Sequence, residues 1–174
     1  MTLKKVPNII VERRGNPREF LIKVVATGLG LGYLPLIPGT FGTLLGIPVC
    51  LFLNMGGKVV YVVGTVVLFS GAVWVAGKAD RIFSVHDSRR IVVDEICGFL
   101  VTMTLVPPTL LTLGVGFILF RFFDIVKPFP AGWCDKNLPG GWGVMLDDIA
   151  AGIYANLSLW AFLGIKEAVY RGIG

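Results

Sequence analysis

The sequence predicts an all-α fold, a polytopic membrane bundle with a broken or re-entrant first helix and a polar site at its cytoplasmic face. Three observations predict it. Hydrophobic residues make up 55% of the chain and the mean hydropathy is +0.78, well above the range of soluble domains. The apolar residues fall in runs divided by glycine and proline turns rather than in alternating patterns. The charges collect at the ends of those runs, where a bilayer tolerates them and where they are commonly kept for function. At 174 residues one domain is expected, a basic cytoplasmic segment at 1–19 followed by a membrane-embedded catalytic unit at 20–174.

The net charge of +5 does not indicate a nucleic-acid surface. Six of the sixteen basic residues, Lys4, Lys5, Arg13, Arg14, Arg18 and Lys23, lie in the first 23 residues, which is the pattern of a cytoplasmic terminus facing anionic lipid. Residues 20–34 are apolar but rich in glycine, without the uninterrupted core and cleavage site of a signal peptide. A short or re-entrant helix is expected there. A loop at Pro38, Gly39 and Thr40 follows, then a first span at 43–54, short of the roughly 20 residues a bilayer asks for. Irregular backbone at that depth needs protein or a water-filled cavity over it, so this loop is a candidate wall of the site.

Gly56 and Gly57 make a turn, and residues 59–77 form the cleanest span, with no charge inside. A polar loop is expected at 78–93, carrying His86 and Asp87. Asp94 and Glu95 then open an apolar run that ends at Pro107 and Pro108. Residues 109–124 return, a loop is expected at 128–143, and 149–165 is the last span. With the N-terminus cytoplasmic, the polar ends of four helices reach the same membrane face. Eight of the eleven acidic residues lie between 80 and 148, and those ends bring Asp87, Asp94, Glu95, Asp124, Asp147 and Asp148 to one depth.

Carboxylates gathered so closely repel one another unless a cation intervenes. Oxygen ligands with a single histidine and no paired cysteines select a hard divalent ion, Mg2+ before Zn2+. The metal set is therefore drawn from Asp94, Glu95, Asp124, Asp147 and Asp148. The run FRFFDIVKPFP at 120–130 puts Arg121, Asp124 and Lys127 at i+3 spacings on one helical face, and the two cations there suit phosphate. A cation beside a basic clamp at headgroup level indicates phosphoryl chemistry on a lipid. Cys50, Cys97 and Cys134 have no metal or disulfide spacing and are expected as small apolar residues.

Three motifs, VHDSRRIVVDEICG at 85–98, FRFFDIVKPFP at 120–130 and GGWGVMLDDIAAG at 140–152, follow LIPGTFGT at 36–43 in that order. Together they resemble the phosphatidylglycerophosphatase A family over roughly residues 25–155. The resemblance implies a small inner-membrane enzyme, Mg2+-dependent, that hydrolyses phosphatidylglycerophosphate to phosphatidylglycerol with its site facing the cytoplasm. It also implies functional positions at His86, Asp87, Asp94, Glu95, Arg121, Asp124, Lys127, Asp147 and Asp148. Ala131 and Gly132 depart from the bulkier, partly basic residues expected after Pro130, which removes support for a phosphate contact from that turn.

Several phosphatase routes are excluded by the residues themselves. No CxxxxxR run begins at a cysteine, no DxDx(T/V) occurs, and one histidine does not build a mechanism that needs two. Metal-assisted attack by water or by a carboxylate remains. In this scheme Asp94, Asp124 and Asp148 act in catalysis, Arg121 and Lys127 hold the phosphate, and Thr40 and Gly141 bring backbone close to the substrate. His86 either gives a proton to the leaving glycerol oxygen or orients Asp87. A cation- or proton-coupled transporter is the alternative class, but such proteins keep their acids near the midplane and commonly show internal repeats. A purely structural subunit would have no reason to gather acids and glycine loops on one face.

Overall fold

Among the described residues, 16–35, 37–84 and 88–173 of the computed structural model, all regular structure is helical. The order is α1 (Pro17–Ala26), a 3-10 turn (Leu31–Tyr33), α2 (Pro38–Met55), α3 (Gly57–Phe83), α4 (Val93–Thr102), α5 (Leu110–Val126), α6 (Ala131–Asn137) and α7 (Gly140–Ile173). Three helices are long and apolar enough to cross a membrane: α2, α3 and the Gly140–Val169 part of α7. Large apolar side chains such as Val63, Val66, Leu110 and Ile118 stand exposed on the outside, the arrangement that lipid favours and water does not.

Pro38 begins α2 because its fixed φ suits the first helical position, where no intrahelical N–H bond is lost. The expected loop at 38–40 is therefore the first turn of α2, and that helix is longer than the sequence indicates. α1 starts similarly, with Asn16 accepting from the Arg18 N–H and Pro17 at the first position. It stops at Thr27, whose hydroxyl donates to the Lys23 carbonyl, and Gly28 then takes a positive φ.

α4 has only ten residues, about 15 Å of helix, or half of a ~30 Å hydrocarbon layer. A helix that ends at such depth must have its carbonyls satisfied by protein. Asn156 of α7 donates its side-chain amide to the carbonyls of Thr102 and Thr104, at 2.8 and 2.9 Å. The Tyr61 hydroxyl of α3 donates to the Leu100 carbonyl at 2.7 Å. Thr109 and Thr112 form a reciprocal capping box that starts α5 on the return.

Two apolar clusters fill the bundle. One, around Phe99, Leu100, Met103 and Phe120, lies between α4, α5 and α7; the other, around Ala72, Ala76, Cys97 and Met145, lies between α3, α4 and α7. Cys50 and Cys97 are buried and free, as small apolar residues are.

α3 runs on to Phe83, through the first part of the polar loop expected at 78–93, and two more differences from the sequence reading follow α5 and shape the site. The loop expected at 128–143 contains α6, and α7 begins at Gly140, so Asp147 and Asp148 lie two turns inside the helix instead of at its mouth. The glycine cluster explains the second difference. A β-carbon on Gly141 would collide with the Val73 carbonyl and stand 2.8 Å from the Gly77 nitrogen, so Gly141 lets the start of α7 pack on the α3 backbone. Close packing outweighs the helix penalty that makes such a run look like a turn. Residues 1–15, His86 and Asp87 lie outside the described residues.

Candidate active site

One end of the bundle is built from the start of α2, the end of α3, the start of α4, the end of α5 and the first turns of α7. What joins α4 to α7 there is a pair of glycines. A β-carbon on Gly98 would lie 2.5 Å from the Phe120 ring and 2.9 Å from the Asp148 carbonyl, and one on Gly152 would lie 2.5 Å from the Gly98 carbonyl. Only glycine permits that approach. Asp94 precedes Gly98 by four residues and Asp148 precedes Gly152 by four. The two carboxylates therefore sit one turn above the same crossing, on the faces that meet.

Asp94, Glu95 and Asp148 each offer an oxygen, and these oxygens lie within 4.8 Å of one another. The Glu95 backbone N–H donates to Asp94 Oδ1 at 3.0 Å, which fixes the Asp94 carboxylate across the first turn of α4. Asp94 and Asp148 are buried, with 7% and 3% exposure. Two of the buried oxygens, Glu95 Oε2 and Asp148 Oδ2, have no hydrogen-bond donor among the described residues. Asp124 is close enough to Asp148 for their charges to act on one another.

The basic side chains approach from α5. Arg121 Nη1 pairs with Asp124 Oδ2 at 2.6 Å, one turn further along the same helix. Lys127 caps α5 in the left-handed conformation, φ 46°, with its N–H still bonded to Phe123. Pro128 disfavours a right-handed helical residue before it, and α5 ends there in this left-handed cap. It turns the Lys127 ammonium toward α7, where it pairs with Asp147 Oδ2 at 2.7 Å. The Tyr154 hydroxyl donates to the Phe129 carbonyl at 2.7 Å and its ring stacks on Phe123, so α7 also holds the KPFP turn.

Gly39 completes the pocket. The space its β-carbon would take is filled by Glu95 Oε1 and by the Arg121 guanidinium, whose Nη1 and Nη2 would be 2.9 and 3.2 Å away. Gly42 sits likewise against Val92 and Glu95, and Gly46 against Phe99, so a glycine face of α2 lies along α4. The first turn of α2 thus delivers its backbone to the carboxylate and guanidinium at once.

Glu95, in the first turn of α4 and outside the three spanning helices, is pushed up to about 8. Burial is the main cause; the charges of Asp148 and Asp124 add to it, and the Asp94 hydrogen bond and the Arg121 charge oppose it. A divalent cation would reverse that balance. The donor set fits one: three carboxylates from two helices, all oxygen, two with buried oxygens lacking donors.

Of the residues expected from the sequence, the structure brings together Asp94, Glu95 and Asp148, with Arg121 and Asp124 beside them. Asp147 is turned to Lys127, since neighbours on a helix point about 100° apart. Thr40 is half-buried in the first turn of α2, next to Gly39. Gly141 is set against α3. His86 and Asp87 belong to the connection between α3 and α4, outside the described residues. Gly39 was legible only as part of a loop; its role as a cradle for two side chains appears with the helix packing.

The chain matches the protein family Phosphatidylglycerophosphatase A over residues 24–163. It is 35% identical over 142 residues to Phosphatidylglycerophosphatase A of Haemophilus influenzae, which covers 80% of this chain and 87% of that protein. It is 34% identical over 131 residues to Phosphatidylglycerophosphatase A of Escherichia coli, covering 75% of this chain and 76% of that protein. A Bacteroides thetaiotaomicron protein provisionally named a phosphatidylinositol-3-phosphatase is 37% identical over 145 residues, 79% of this chain and 90% of that protein. No solved structure matches the chain.

Proposed function

Because this chain belongs to the phosphatidylglycerophosphatase A family, we propose that it hydrolyses phosphatidylglycerophosphate to phosphatidylglycerol and inorganic phosphate at the Asp94, Glu95 and Asp148 cluster. The observation that carries the reading is the juxtaposition of three clustered carboxylates with Arg121, at the end of a membrane bundle where a lipid phosphate would lie.

Asp94, Glu95 and Asp148 are the residues that would hold Mg2+, with Asp124 next to them. Bound there, Mg2+ would neutralise phosphate charge and polarise the phosphoryl group toward attack by water. Arg121 presents a planar fork to the equatorial oxygens, where charge gathers in phosphoryl transfer. Its pairing with Asp124 holds the fork in one orientation before substrate arrives, so little reorganisation is needed during the reaction. Lys127, with 30% of its side chain exposed, is the more accessible cation and meets the incoming headgroup. Asp147 keeps it directed across the mouth of the site. The N-terminal end of α2 adds the positive pole of a helix beside Gly39 and Thr40. His86, with Asp87 adjacent in sequence, stands as the sequence's candidate either to give the proton to the leaving glycerol oxygen or to orient Asp87.

We infer further that the site faces the cytoplasm from a multi-pass protein in the inner membrane. Lys78, Arg81, Arg89, Arg90, Lys127 and Lys136 all belong to this end of the bundle, in agreement with the positive-inside rule. Single-cysteine labelling from outside the cell should reach position 56 and fail to reach position 89.

The name of the Bacteroides relative favours a second substrate, a phosphorylated inositol lipid, for the same chemistry. Purified protein offered the two lipids separately, with Mg2+, distinguishes them by phosphate release. A marked preference for phosphatidylglycerophosphate is expected. Preference for the inositol lipid would replace the substrate, and release from neither would refute phosphatase function.

A further inference from the structure

A lateral groove lies between α2 and α5, about 360 Å³ in volume and almost wholly apolar. Leu44 and Ile47 form one wall, and Leu113, Gly114, Phe117 and Ile118 the other. The walls are helical stripes that lead to the site. On α5 the positions 114, 117 and 118 continue at the same spacing to Arg121; on α2 the positions 47 and 44 continue to Thr40, beside Gly39. From Leu110, at the far end, to Arg121 is eleven residues, about 16 Å at 1.5 Å each, which matches one leaflet of a ~30 Å hydrocarbon layer. Gly114 and Ile118 are exposed, so the groove is open sideways to the bilayer.

We propose that this α2–α5 groove holds an acyl chain of the lipid whose phosphate is at Arg121, so that substrate enters sideways from the membrane without leaving its leaflet. The inference rests on the lipid phosphatase reading and adds where the lipid's tail lies. A larger apolar groove of about 510 Å³, between α1, α2, α3 and α4, does not serve. It is shut off from the carboxylates by the end of α1: the Val92 N–H donates to the Ala26 carbonyl at 2.8 Å, and Gly28 lies against the Leu45 and Val92 side chains. The stripes that wall the α2–α5 groove have Thr40 and Arg121 as their next positions toward the site.

Gly114→Leu tests it. A β-carbon at Gly114 meets nothing within 4 Å, and its φ is an ordinary helical one, so the leucine fills the groove without forcing the fold. Gly71→Leu is the control; its β-carbon is equally unhindered, but it lines the larger groove. The readout is the ratio of kcat/KM for a dioleoyl phosphatidylglycerophosphate to that for a dihexanoyl one, in mixed micelles. Gly114→Leu should lower that ratio about tenfold, the scale of displacing two buried methylenes, while Gly71→Leu should leave it at the wild-type value. A ratio unmoved by Gly114→Leu, or lowered by Gly71→Leu instead, overturns the proposal. Binding is read separately from turnover with a phosphatidylglycerophosphate carrying a diazirine in mid-chain. Labelling of the peptide around Phe117 and Ile118, lost in Gly114→Leu, supports the groove even if phosphate is not released, and labelling elsewhere refutes it. Absence of phosphate release with the groove labelled as expected would fault the phosphatase reading alone.

Discussion

Gly39→Ala is the smallest change that should separate the site from the fold. The added β-carbon would stand 2.9 and 3.2 Å from the two terminal nitrogens of Arg121 and closer still to Glu95 Oε1, where ordinary contact begins at 3.4 Å. The guanidinium must retreat by roughly half an ångström and the carboxylate by about 1 Å, the displacement at which positioned groups lose on the order of a hundredfold in rate. Both obstructing groups are the far ends of flexible side chains, so the helices need not part. Turnover on phosphatidylglycerophosphate at saturating Mg2+ should fall about a hundredfold. The thermal unfolding midpoint of the detergent-solubilised protein should stay close to that of the wild type. Gly71→Ala, whose new methyl meets nothing, serves as the reference for an alanine in a spanning helix. Full turnover in Gly39→Ala would show that Glu95 and Arg121 are not the groups on which the reaction depends.

Asp148→Asn should abolish activity at any Mg2+ concentration, whereas Asp147→Asn should mainly weaken lipid capture; Mg2+ titrations that find the two equivalent would contradict their separation onto two faces of α7. Lys127→Ala should leave the Mg2+ midpoint in place and combine non-additively with Asp147→Asn in a double-mutant cycle, because the two share one ion pair. Arg121→Lys should cost more than about tenfold in kcat, since an ammonium does not replace a fork with two contacts. Glu95, raised to about 8, favours the protonated folded protein: that added stability is fully present below its unfolded value of 4.5 and is lost as pH rises through about 8. An ion competes with that proton. The Mg2+ needed for half-maximal activity should therefore fall as pH rises from 6.5 toward 8, and a midpoint independent of pH would remove Glu95 from the ion's ligands.

Much of this architecture is written in the sequence, for physical reasons. Apolar runs have to lie in lipid, and charges at their ends have to share a face, so the gathering of Asp94, Glu95, Arg121, Asp124 and Asp148 follows from the parity of the spans. Which acids meet is a matter of helix rotation, which hydropathy does not encode. The signal that does encode it is the repeated spacing of aspartate and glycine at 94 and 98 and again at 148 and 152, where the glycine marks the crossing and the acid sits one turn above. Glycine also misled the boundaries. At Gly39 and Gly141 local propensity indicates loop or turn, yet both are helical, and glycine stands there because neighbouring groups occupy the space a side chain would need. The short α4 was hidden for a related reason: its end is satisfied by Asn156 and Tyr61, far away in sequence.

We propose that the carboxylate cluster hydrolyses a lipid phosphate monoester with a divalent ion held among its oxygens. The most direct measurement is phosphate release from phosphatidylglycerophosphate by the purified protein after chelation, with Mg2+ then restored, performed in parallel on Asp148→Asn. Release should stop on chelation and return with Mg2+ in the wild type, and no Mg2+ concentration should restore it in Asp148→Asn. Undiminished release from the chelated wild type, or from folded Asp148→Asn, would contradict it.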